Sequence, residues 1–228
     1  MRAVHVDPPQ ETGLHDGLAY ALFLPGGEPK GSLVILHGAG SSKESHFDFA
    51  RRARLAGIAT ACFDQRGHGE SEGSFDSRFI DDVGAIASLL PPGPLGLRGS
   101  SMGGYVALVA AAPVGASAVI AICPAPGRGL AAGLQVGAFD FRADPAVGER
   151  LDEEDEAEAI RNLRCPLLLL HAEEDEVVPF GLSERLAGLA PEGLCRFVAV
   201  PGGHHRSIQH DAEFQDLSVR FLLDAFAT

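Results

Sequence analysis

The chain has 228 residues, 46% of them hydrophobic and 21% charged, which suits one globular domain with a sizeable core. Eighteen Lys and Arg stand against 31 Asp and Glu, for a formal net charge of −13. That balance speaks against nucleic acid and against an anionic membrane, because phosphate would be repelled over most of the surface, and it favours a small neutral molecule as the partner.

Cys62, Cys123, Cys165 and Cys195 are scattered without C-x-x-C spacing, so they read as idle thiols in a reducing compartment rather than as a disulfide or metal framework. The opening MRAVHVDPPQ has no apolar leader core, and no run approaches the ~18 apolar residues that span a bilayer. A cytoplasmic location is expected, with no cofactor and no metal.

In chain order, LAYALFLP (18–25) reads as an extra strand pairing antiparallel at a sheet edge, with a turn at Gly26 and Gly27. LVIL (33–36) and ATACF (59–63) are apolar without alternation, as strands covered on both faces should be. Phe79, Ile80, Val83, Ile86, Ala87 and Leu90 recur at helical spacing. A short strand at 95–97 then leads into a helix at 105–112, and AVIAI (118–122) continues the sheet. Residues 124–163 break the rhythm: no strand is evident, glycines recur, and the stretch is too long for an ordinary connection. It reads as a lid inserted in the single domain, its second half, GERLDEEDEAEAIRNLR, being one exposed helix whose charges complement its dipole. LLLL (167–170), a helix after Pro179, FVAV (197–200) and a last helix carrying Phe214, Leu217, Phe221, Leu222 and Ala225 complete the pattern. The sum is a doubly wound, mostly parallel α/β sheet of about seven or eight strands with helices on both faces.

Within LRGSSMGGYVAL (97–108) two serines fall at a strand-to-helix turn, at the carboxyl end of the sheet where ligand sites of such folds lie. Gly99, Ser101 and Gly103 fit G-x-S-x-G, with small residues on either side of Ser101 that let strand and helix pass closely. Ser100 would have Arg98 and Met102 in those places, so Ser101 is the candidate nucleophile. A serine hydroxyl needs a base and a group to orient that base. His204 and His205 follow the last strand in a Gly-rich loop, and Asp175 in HAEEDEVVP follows LLLL, giving the chain order Ser101, Asp175, His205. His204 remains an alternative base, and Glu173, Glu174 and Glu176 read as solvent-exposed neighbours of Asp175. A metal cluster of His204, His205, His210 and Asp211 matches no established ligand spacing.

At LHGAGSS (36–42), FDQRGHGES (63–71), GSSMGG (99–104), EEDEVVP (173–179) and PGGHH (201–205) the sequence resembles the α/β-hydrolase superfamily. The likeness is to its small lysophospholipase, carboxylesterase and serine-aminopeptidase-like members, and it covers nearly all the chain outside 124–163. The resemblance implies the α/β-hydrolase fold and a serine hydrolase with Ser101 as nucleophile, His205 as base and Asp175 as its orienting carboxylate. It further implies an oxyanion hole from the backbone N–H groups of Ala39 and Met102. His37 would then shape the oxyanion loop, and His68 with Asp64 and Arg66 would brace the neighbouring DQRGHGES loop. Leu130, Leu134, Phe139 and Phe141 are expected to line an acyl pocket. The implied reaction is hydrolysis of a small to medium neutral carboxylic ester by water. Thioester, amide, peptide or C–C bond hydrolysis would use the same machinery, and a non-catalytic ligand-binding module is the competing reading.

Overall fold

The computed structural model describes residues 6–228. The first half of the MRAVHVDPPQ stretch, read above as lacking an apolar leader core, lies outside the described residues. Strands β1 (Glu11–His15), β2 (Leu18–Phe23), β3 (Gly31–Leu36), β4 (Ile58–Phe63), β5 (Leu95–Ser100), β6 (Ala118–Ile122), β7 (Leu167–Ala172) and β8 (Cys195–Val200) form one sheet. Their spatial order is β1-β2-β4-β3-β5-β6-β7-β8, with β1 and β2 antiparallel and the six from β4 to β8 parallel. This is the α/β-hydrolase fold expected from the sequence. The 18–25 strand is not the edge: β1 covers it, joined through Asp16 and Gly17, both at positive φ. Two such residues in a row form the short hairpin turn whose twist matches that of the strands.

Alternation along each buried strand sends neighbouring side chains to opposite faces. Val34 and Leu36 join one apolar core with Val83 and Ile86 of α2 (Phe79–Ala87) and Val106 of α3 (Met102–Ala110), while Leu33 and Ile35 join another. The second core takes Phe49 of α1 (Phe47–Leu55) and Val219 and Leu222 of the C-terminal helix (Ala212–Phe226). The sheet is thus apolar on both sides, which is why its central strands carry no polar alternation.

Residues 124–163 contain three short helices: α4 (Gly127–Gln135), α5 (Val147–Glu153) and α6 (Glu156–Arg161). The single helix expected over GERLDEEDEAEAIRNLR is broken, because the Asp155 carboxylate caps α6 by accepting from the backbone N–H of Ala157 and Glu158. Tyr105 of α3 donates its hydroxyl to the Glu154 carbonyl at 2.9 Å and pins the break to the body of the fold. The remaining helices are α7 (Phe180–Ala187) and α8 (Ala212–Phe226). Among the described residues, no helix is long and apolar enough to cross a membrane. All four cysteines are free, and three of them are buried.

Candidate active site

The chain runs from β3 outward to β4 and then returns to place β5 on the other side of β3. Loops leaving β3 and β5 therefore diverge and open a crevice at the carboxyl ends of the strands. Ser101 sits there, between β5 and α3, at φ 53° and ψ −120°. A non-glycine residue held at such angles stores about 1–3 kcal/mol of strain, which the surroundings must impose. They do so by close approach: a Cβ on Gly99 would lie 2.0 Å from the Gly103 carbonyl oxygen, and one on Gly103 would lie 2.2 Å from that of Leu36. The strand, the helix and the end of β3 are packed backbone to backbone around this turn.

Asp175 and His205 come together from the loops after β7 and β8. His205 Nδ1 lies 2.7 Å from Asp175 Oδ2, and the other carboxylate oxygen accepts the backbone N–H groups of Val177 and Val178, each at 2.8 Å. Ser101 and His205 line one cavity of about 240 Å³ together with Gly38 and Ala39. His204 is exposed, and its backbone N–H bonds the Ser207 hydroxyl at 3.0 Å. His210 pairs with Asp48 at 3.0 Å and Asp211 caps α8, so the His204, His205, His210 and Asp211 set does not converge. Cys123 is the third side chain beside Asp175 and His205, and burial raises its thiol well above the usual range, so it stays protonated.

Burial alone would raise the Asp175 carboxyl, but the bonds from His205, Val178 and Val177 outweigh it and hold the group below its ordinary value. A carboxyl depressed in the folded state adds stability above its unfolded value and loses it as the pH falls through the folded one. Urea unfolding of Asp175→Asn and the parent should therefore differ at neutral pH and converge in acid, below the ordinary carboxylate range. A constant difference would show that the depressed carboxyl contributes nothing.

His171, at the end of β7, is fully buried beneath this pair. Its Nε2 lies 2.9 Å from the Val178 carbonyl and 3.3 Å from Asp175 Oδ2, while Nδ1 lies 2.6 Å from the Ser183 hydroxyl. Burial lowers its pKa, and the partners suit a neutral ring that donates from Nε2 and accepts at Nδ1.

The loop after β3 is braced from below. His37 accepts the Gln65 backbone N–H at Nε2 (3.0 Å), which leaves Nδ1–H to donate to the Gly38 carbonyl (2.8 Å). Burial, with His68 adding to it, pushes its pKa down to about 4, as a neutral structural imidazole requires. Asp64 accepts from the backbone N–H groups of Lys43 and Glu70 and from Lys43 Nζ at 2.8 Å, and Arg66 forms a bidentate pair with Asp82. His68 stacks on Phe141 with centroids 4.1 Å apart. Met102 opens α3, so its N–H lacks an intrahelical acceptor, and the Ala39 N–H has no protein acceptor among the described residues.

Leu130 is buried in the core, while Leu134, Phe139 and Phe141 are partly buried against it. None of the four is among the residues lining the cavity at Ser101.

Arg98, which entered the sequence analysis only as a neighbour that disfavours Ser100, is a buried charge. It lies on β5, three residues before Ser101, at 1% exposure with no carboxylate partner. Its guanidinium stacks 3.9 Å from the Phe49 ring centroid and donates to the Gln209 carbonyl at 3.1 Å, in the short turn that follows His205. Burial lowers its pKa to about 10. A buried charge of this kind costs several kcal/mol, so Arg98→Met should leave stability to urea unchanged or raise it. The same variant leaves the Gln209 carbonyl held by Gln215 alone, at 3.1 Å, and should lower kcat about tenfold at constant KM. A fall in stability with kcat intact would show that the arginine serves packing alone.

The comparisons with known proteins agree with this architecture. Residues 27–140 match the family model described as serine aminopeptidase, S33. An uncharacterised protein of Mycobacterium tuberculosis is 30% identical over 94% of this chain and 74% of its own length. A monoacylglycerol lipase of Mycolicibacterium smegmatis is 26% identical over 82% of this chain and 85% of its own. Among solved structures, Est1E from Butyrivibrio proteoclasticus with ferulic acid bound superposes with a TM-score of 0.75 at 21% identity, over 96% of this chain and 100% of that one. The chain belongs to the α/β-hydrolase superfamily, in the serine aminopeptidase, S33 family. It is a hydrolase with lipase- and esterase-like relatives.

Proposed function

We propose that the protein hydrolyses small to medium carboxylic esters through an acyl-enzyme intermediate on Ser101. The observation that carries the reading is the 2.7 Å contact of Asp175 with His205, in a cavity that His205 shares with a strained Ser101. His205 Nε2 takes the hydroxyl proton as Oγ attacks the carbonyl carbon, and the carbonyl π pair moves onto oxygen. The N–H groups of Ala39 and Met102 stabilise that oxyanion, each on the order of 3 kcal/mol in the barrier. Collapse re-forms the carbonyl and expels the alcohol, which leaves with the proton held on His205. Water then attacks the acyl-enzyme in the same way, releasing the carboxylic acid and restoring Ser101. Asp175 accepts from Nδ1–H throughout, which keeps the Nε2 lone pair turned to the hydroxyl.

One relative favours esters over other acyl compounds, being named a monoacylglycerol lipase. The cavity of about 240 Å³ is smaller than most drug-sized ligand pockets and suits a short acyl group. A fluorophosphonate probe read by peptide mass spectrometry tests the reading. An adduct on Ser101 is expected, and a folded protein that takes none is a ligand-binding module instead.

A further inference from the structure

Apart from Ser101 and His205, the cavity is walled by Ser41, Ser45, Ser100, Arg206, Gln209 and His210, and only Gly38 and Ala39 lack a polar side chain. No carboxylate lines it, although the chain carries 31 acidic residues. Several of these groups already have partners: Ser41 donates to the Ser45 hydroxyl at 2.9 Å, Ser45 donates to the Ser42 carbonyl at 2.6 Å, and His210 pairs with Asp48 at 3.0 Å. Arg206 is exposed, and its guanidinium makes no ion pair or hydrogen bond among the described residues; of the other wall residues only Ser100 has a side chain equally without one. Meanwhile the apolar side chains that would wall an acyl channel are packed elsewhere. Leu130 is only 4% exposed, Phe139 stacks on Phe141 at 5.4 Å, and Phe141 lies on His68.

We propose that Arg206 recognises an anion, and that the substrate is a small ester bearing a second, ionised carboxylate, such as the half-ester of a short dicarboxylic acid. This rests on the ester-hydrolase reading above and replaces the neutral acyl group expected from overall charge. A long acyl chain would have to cover the Arg206 guanidinium and the Ser100 hydroxyl without pairing them, which costs free energy at each. A carboxylate instead meets a planar fork of donors that matches it in geometry and charge. Arg206 follows His205 directly in the chain, so the anion would lie a few bonds from the carbonyl under attack, which calls for a short spacer. The net charge of −13 does not oppose this at contact, because at physiological salt charges beyond about 8 Å are largely screened while the local pair is not.

The test compares monoethyl succinate with ethyl 4-methylpentanoate, which carries an isopropyl group in place of the carboxylate, by acid release in a pH-stat. The parent enzyme should favour monoethyl succinate at least tenfold in kcat/KM. Arg206→Gln should cut that ratio about tenfold, Arg206→Lys should recover part of it, and added salt should shrink it. A preference for the apolar ester, or a ratio that Arg206→Gln leaves unchanged, overturns the inference while leaving ester hydrolysis intact. Turnover of neither ester, or turnover that survives Ser101→Ala, overturns the underlying reading instead.

Discussion

Ser101→Ala is expected to lower hydrolysis of p-nitrophenyl butyrate by about 10⁴-fold or more, while Ser100→Ala stays within about tenfold of the parent. Both serines line the cavity, so proximity alone does not separate them. Backbone geometry does. Ser100 is the last residue of β5 and is paired in register with Ile122 of β6, whereas Ser101 occupies the strained turn and begins the helix. Only the second position sets a hydroxyl beside the N–H of Met102 at the positive end of α3, where charge developing on a substrate oxygen can be met. The hydroxyl removed in Ser101→Ala is the proposed nucleophile, so KM is not expected to compensate. Burst kinetics in the parent and their loss in Ser101→Ala would complete the measurement; equal losses for the two variants would end the assignment.

Gly103→Ala should be one of the most damaging single-methyl changes at the reactive turn, beside Gly99→Ala. A Cβ on Gly103 would lie 2.2 Å from the Leu36 carbonyl oxygen and 2.6 Å from that of His37, both backbone atoms at the root of the Ala39 loop. Neither can turn aside as a side chain would, so the helix must shift as a body. A loss of more than about 3 kcal/mol to urea, or failure to fold, is expected. Gly38→Ala supplies the contrast. There the new carbon would meet Ser101 Cβ at 3.3 Å, a tight contact that local adjustment can relieve, so the variant should fold and lose turnover. Equal stabilities for Gly103→Ala and the parent would mean that the turn is not clamped from below.

Most strands were legible because their apolar runs are continuous and short: β3, β4, β6, β7 and β8 lie where those runs are, while β5 runs three residues past the 95–97 read from the sequence and α3 begins at Met102 rather than at 105. β1 escaped because ETGLH is mostly exposed and carries no periodic signal, yet the Asp16-Gly17 pair before LAYALF was a hairpin sign in plain view. α4 escaped for the opposite reason. Its glycines suggested a loop, but Gly127 and Gly133 allow close approach, to the Leu151 carbonyl and to the Phe139 ring. In the site, the serine turn could be read from its small flanking residues, and Asp175 and the histidine pair from their places after strands. Arg98 and His171 could not, because nothing in a sequence distinguishes a charge or imidazole buried by the fold from one left in water. Arg206, which is exposed, was hidden for another reason, since its lack of a partner among the described residues emerges only when the loops are folded.

The crossing order of β4, β3 and β5 gives the crevice an origin independent of the side chains around it. Since the gap is opened by two chain segments turning away from each other, replacing Ser41, Ser45, Arg206 or Gln209 leaves the opening itself in place. Taste for one molecule or another can therefore drift through such exchanges at small thermodynamic risk, while the clamp under the reactive turn stays shut to change.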